Sequence, residues 1–93
     1  MENRAELKNK VEQYVDDNLS VIQNWMTIGE DNIAQIKILA VDIAFHREGI
    51  IHGGSFVAAV VDNDLDKCIE YGDGLCMRSL KLFVMVKKWV HVY

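Results

Sequence analysis

The stretch HREGIIHGGSF, residues 46–56, concentrates residue types that can hold an anion. Two glycines let a phosphate approach the backbone, and Ser55 adds a hydroxyl. A helix starting at this point would supply unsatisfied N–H groups at the positive end of its dipole. Arg47, His46 and His52 lie within a few residues and offer charge, stacking and hydrogen bonds. Further along, Arg78, Lys81 and Lys88 recur at spacings of three and seven, which places them on one helical face. A hairpin folding that stripe toward the Gly53 turn makes a groove suited to a small phosphorylated nucleotide. The candidate ligand-binding set is therefore Arg47, His52, Gly53, Gly54, Ser55, Phe56, Arg78 and Lys81. The competing reading is a plain corner, in which Gly53-Gly54 turns the chain and Ser55 caps its own helix. The GGS sequence lacks the spacing of a P-loop or a dinucleotide-binding fingerprint.

Other chemistries find less support. Asp62, Asp64, Asp66 and Glu70 form an acidic patch, but the glycine and terminal glutamate of a calcium loop are missing, so a solvated acidic face is expected. His46, His52 and His91 are irregularly spaced and belong to no HExxH pattern. No GxSxG elbow surrounds Ser55. Cys68 and Cys76 have no zinc spacing and fall in apolar-periodic stretches, where a cysteine acts as a small buried hydrophobe. No catalytic constellation emerges; the expectation is a non-enzymatic binding protein with neither cofactor nor metal.

The elements that must position these residues follow from pattern and punctuation. In 93 residues, 51% hydrophobic and 26% charged, there is room for one domain and one modest core. Leu7, Val11, Val15, Leu19, Ile22 and Met26 recur at three and four, marking an amphipathic N-terminal segment over residues 1–29. Asp16-Asp17-Asn18 is a candidate break within it, Gly29 its C-cap, and Asp31 or Asn32 the next N-cap. The segment IAQIKILAVDIAF, residues 33–45, is apolar nearly all round, as in a helix that is central or shared between subunits, and it ends at Gly49. A short helix from Ser55 turns Phe56, Ala59 and Val60 inward. Asn63-Asp64 forms a joint at which Asp64 caps the next helix; Gly72 ends that helix, and Asp73 caps the last. The final segment spreads Leu75, Leu80, Phe83, Val84, Met85 and Val90 over a broad apolar surface and reads as helix, although its valines and aromatics also suit a strand. The expected fold is all-α, a compact bundle of four to five helices with short Gly/Asx joints. More apolar face than one chain can hide implies a homo-oligomer.

Net charge and termini narrow the partners. A net charge of −4 and a pI near 5.2 disfavour general nucleic-acid binding, which needs clustered Lys and Arg. The N-terminus MENRAELKNK is too polar for a signal peptide, and the uncharged run at residues 82–86 is too short to span a bilayer. A cytoplasmic protein that avoids membranes is expected, and the two unpaired cysteines suit a reducing compartment.

The run GGSFVAAVVDNDLDKCIEYGD, residues 53–73, resembles a family of small proteins encoded by bacteriophages and prophages. Its signature is matched by Gly54-Ser55-Phe56, Ala59-Val60, Asn63-Asp64-Leu65 and Gly72-Asp73. The likeness covers about residues 40–90, leaving the first forty outside it, and the chain stops at Tyr93 where the family often continues into a proline-containing tail. The resemblance implies a phage origin, a helical hairpin core and no enzymatic activity. It further implies action in the host cytoplasm against a bacterial defence system. Three roles are expected, in this order: sequestration of a nucleotide signal at the GGSF turn, occlusion of a host defence protein by the acidic and apolar surface, or a structural or regulatory phage role with no ligand.

Overall fold

The computed structural model describes residues 4–23 and 30–92, and all side chains within them except those of residues 22, 23, 91 and 92. Met26 and Gly29, expected as an apolar position and a C-cap, lie outside the described residues, as do the side chains of Ile22 and His91. The regular elements of the described residues are all helices: α1 (Arg4–Asn18), α2 (Ser20–Gln23), α3 (Glu30–Arg47), α4 (Ser55–Val61), α5 (Leu65–Tyr71), α6 (Gly74–Arg78) and α7 (Leu80–Val92).

The expected four to five helices become seven described segments because two of them break. The N-terminal segment interrupts at Leu19, just after the Asp16-Asp17-Asn18 run, where the Asn18 side chain turns back to the Tyr14 carbonyl at 2.8 Å. The final segment breaks at Ser79, which ends α6 with φ −98° and ψ 3°. The Ser79 hydroxyl is fully buried and has no hydrogen-bond partner among the described residues. No strand occurs among the described residues, so the valine-rich end is helical; tertiary packing overrides its β-propensity. The N-cap expected at Asp31 or Asn32 is corrected: α3 begins at Glu30, and Glu30 and Asp31 occupy its first turn, where negative charge complements the dipole.

Helix α3 is central, packing on α1, α4, α6 and α7. It buries Ile36, Ala40, Val41, Ile43 and Ala44 against Leu7, Val11 and Val15 of α1, Phe56, Val57, Ala59 and Val60 of α4, and Leu82, Phe83, Val86 and Val90 of α7. Alanines at 40 and 44 let the neighbouring helices approach closely. Phe56 meets Phe83 edge-on, with ring centroids 5.9 Å apart, and Tyr14 stacks on Trp89 at 4.7 Å, joining α1 to α7. Lys37 of α3 pairs with Asp16 of α1 at 2.9 Å. The apolar faces of α3 and α7, which suggested a second subunit, are thus largely covered within one chain. Among the described residues four large apolar side chains remain exposed: Ile38 at 55%, Leu65 at 61%, Ile69 at 57% and Tyr71 at 52%.

Candidate functional site

The α3–α4 corner is built by the residues quoted first. Gly49, at φ 74°, ends α3 in a Schellman motif: its N–H donates to the His46 carbonyl at 3.1 Å, and Ile50 N–H donates to the Phe45 carbonyl at 2.8 Å. A side chain other than glycine is strained at that φ. Gly53 N–H then donates to His46 Nδ1 at 2.9 Å, closing the loop back onto the helix it left. This bond fixes the His46 tautomer, since Nδ1 must be unprotonated to accept. The His52 ring lies 5.5 Å from that of His46, and the Arg4 guanidinium donates to the Ile50 carbonyl at 3.2 Å.

One expectation at this corner is corrected. Ser55 does not cap α4: Gly54 is the N-cap, without a side-chain bond, and Ser55 is the first helical residue, one position too late for its hydroxyl to serve. Gly54 has φ −70°, and a Cβ there would meet nothing within 4 Å; the tight glycine is Gly53, where a Cβ would press on Val57 Cγ1 at 2.6 Å. Of the other candidates, Phe56 is a core residue, Ser55 and His52 are exposed, and Arg47 is half-buried at the end of α3. Arg78 and Lys81 are exposed but fall on different helices, so their stripe with Lys88 crosses the break at Ser79. An open depression of about 210 Å³ beside Ser55 is lined by Ala58, Ala59, Asp62, Asp64, Lys67 and Tyr71, rather than by Arg47, Arg78 and Lys81.

The α4–α5 joint has the same architecture with different chemistry. Asn63, at φ 61°, ends α4 in a second Schellman motif: Asn63 N–H donates to the Val60 carbonyl at 3.3 Å and Asp64 N–H to the Ala59 carbonyl at 2.9 Å. Asn is among the few side chains that tolerate this conformation. Asp64 then caps α5, accepting from Lys67 N–H at 3.2 Å, as the sequence predicts. Sequence reasoning missed Lys87. It is buried in α7, and its ammonium donates to the Asn63 side-chain oxygen and to the Val60 carbonyl, clamping the joint from 24 residues away. The available signal was its register: residue 87 lies four beyond Phe83 and three before Val90, on the buried face.

Gly72 and Asp73 close the element. Gly72 N–H donates to the Cys68 carbonyl at 2.9 Å. Its φ is unremarkable, but a Cβ would stand 2.7 Å from the Cys68 carbonyl oxygen and 2.9 Å from the Phe56 ring, so space alone requires glycine. Asp73 caps α6 by accepting from Cys76 N–H at 2.9 Å, and that hydrogen bond holds its carboxyl below the usual carboxylate range. Cys68 and Cys76 are free and buried, and burial pushes both thiols up, so neither is a ready nucleophile. Among the described residues no group of three or more His, Cys, Asp or Glu is placed to hold a metal ion, and no helix is long and apolar enough to cross a membrane.

These joints present α5 as an outrigger. Its packing is on α4, it buries only Cys68, and Leu65, Ile69 and Tyr71 stand exposed. Residues 62–73 hold five acids and one base, matching the net −4 of the whole chain, while the remainder carries nine of each sign. A second depression of about 180 Å³ runs between α4, α5 and α7, lined by Ala59, Val60, Asn63, Leu65, Cys68, Leu80 and Val84. No family model, curated protein or solved structure matches the chain.

Proposed function

We propose that this chain is a non-enzymatic, protein-binding inhibitor that is phage-encoded and blunts a host defence protein in the bacterial cytoplasm. One observation carries the binding mode: among the described residues, three of the four exposed large apolar side chains lie on the seven-residue α5, within the segment that holds the chain's excess negative charge. Exposed apolar surface rimmed by polar residues marks interaction sites. The phage origin rests on the resemblance of residues 53–73. Phe56, Ala59 and Val60 of that signature are core, Asn63 and Gly72 fit their joints, and Asp64 and Asp73 are caps, so the segment builds the platform from which α5 projects.

Nucleotide sequestration is the second reading. It is favoured by Arg47 beside the His46–His52 pair at the corner. It ranks behind the first because Gly53 N–H is already engaged by His46, and because the depression at Ser55 is lined by Asp62 and Asp64, which repel phosphate. Self-association belongs to either reading, with Ile38 as its exposed anchor on α3. Light scattering that returned only the 10.6 kDa chain at micromolar concentration would remove it.

Plaque formation tests the choice. The chain is expressed in bacteria whose defence systems restrict a phage, and rescue is scored for wild type, Leu65→Ser/Ile69→Ser and Arg47→Ala. Protein occlusion predicts rescue that survives Arg47→Ala and is lost in the double variant. The nucleotide reading predicts the reverse, with a melting-temperature rise on cyclic or linear nucleotides that Arg47→Ala weakens roughly tenfold to a hundredfold in affinity. No rescue by wild type across the defence systems would sink the anti-defence reading.

A further inference from the structure

We infer that the α5 face accepts a basic amphipathic helix of a partner protein, laid along the groove between α5 and α7; this rests on the protein-binding reading above. At about 3.6 residues per turn, the seven positions of α5 sort into distinct faces. Cys68 points inward. Asp66 and Glu70, four apart, form the crest directed away from the core, and Leu65 and Ile69, also four apart, form the flank on the α7 side. Leu65 is one wall of the apolar groove whose floor and far wall include Cys68, Leu80 and Val84. At about 180 Å³ the groove is smaller than the roughly 300–1,000 Å³ typical of small-ligand sites, and it suits inserted aliphatic side chains. An apolar stripe beside an acidic crest is the complement of a helix with leucine-like residues on one face and lysine or arginine on its edge.

Charge selects among occupants. A second copy docking by the same face across a two-fold axis would bring two segments of net −4 together. An anionic lipid surface would repel the crest for the same reason. A basic helix gains on both counts. The Lys87 clamp fixes the α4–α5 joint, so α5 is held in position before the partner arrives.

The test uses the full chain and a fluorescent lysine/leucine amphipathic helix of about four turns, long enough to exceed α5. Its scrambled isomer and a glutamate-for-lysine counterpart serve as controls, and binding is read by anisotropy. The basic helix should bind, with both controls at least about tenfold weaker. Leu65→Ser/Ile69→Ser and Asp66→Lys/Glu70→Lys should each weaken it at least about tenfold, with helicity by circular dichroism unchanged. Asp17→Lys/Asp31→Lys, an equal charge change elsewhere, should leave affinity within about twofold. Equal binding of the scrambled isomer, or equal loss in the Asp17/Asp31 variant, would show attraction to net charge alone and overturn the inference. Preference for the acidic helix, abolished by Leu65→Ser/Ile69→Ser, would overturn the basic partner yet keep the docking face. Failure of every helix to bind also overturns it, while plaque rescue lost in the same α5 variant would still uphold the docking reading.

Discussion

The corner after α3 and the joint after α4 are two versions of one device. Each ends its helix in a Schellman motif, on Gly49 in the first and Asn63 in the second, and each is closed by a side chain bonding across the turn. At the corner the closing group is His46, seven residues from Gly53 and neutral at the accepting nitrogen. At the joint it is the buried ammonium of Lys87, arriving from α7. The corner has the composition of a ligand site, yet its Gly53 N–H is already bonded to His46. The joint reads as ordinary punctuation, yet a long-range charge holds it, and it sets α5, a helix that buries only Cys68. Residue types announce chemistry, but partners decide whether that chemistry is already spent.

The largest expected effect is at the joint. Lys87→Met keeps the buried stem but removes the ammonium, leaving the Val60 carbonyl and Asn63 side chain without it; the loss should be about 1.5–3 kcal/mol. For a domain of this size each kcal/mol corresponds to roughly 4–8 °C in Tm, so thermal unfolding reads it directly. A loss no greater than that of His46→Ala would erase the contrast between the two closures. His46→Ala removes a neutral hydrogen bond and should cost about 0.5–1.5 kcal/mol. Asp64→Ala, which uncaps α5, should cost roughly 0.5–2 kcal/mol. It should also leave the folded protein's affinity for nucleotides nearly unchanged; lost binding at undiminished Tm would make Asp64 a site residue rather than a cap.

A pH series sharpens the role of the caps. Because the folded state lowers the Asp73 pKa, this cap contributes its stability fully above the ordinary carboxylate value and loses it as pH falls through the lowered one. Asp73→Asn should flatten that part of the acid limb in Tm measured against pH, and an unchanged limb would assign the acid sensitivity elsewhere. The smallest effect is expected at the corner. Gly54→Ser places a hydroxyl at the true N-cap, where a Cβ has open space, and should stabilise by a few tenths of a kcal/mol. Ser55→Ala, one residue later, should be nearly silent in chemical denaturation. Reversal of that pair would restore Ser55 as the cap.

Much of the architecture is a local matter, and the sequence alone determined it. Glycine before a new apolar run, asparagine followed by aspartate, and apolar residues at three and four specify where helices stop and start, because caps and left-handed residues act within a few positions. The ends at Gly49, Asn63 and Gly72 and the caps Asp64 and Asp73 were all legible on those grounds, and so was the central place of α3 from its apolar circumference. Tertiary structure decided what remained. Whether Gly53 N–H is free depends on the orientation of the His46 ring, whether Lys87 meets solvent or Asn63 depends on how α7 crosses α4, and the space at Gly72 is closed by the approach of Phe56 as well as by the nearby Cys68 carbonyl. The Lys87 and Phe56 contacts join segments far apart in the chain, the His46 bond turns on a ring orientation seven residues away, and hydrogen bonding and steric exclusion change over ångströms that no pattern of residue types encodes.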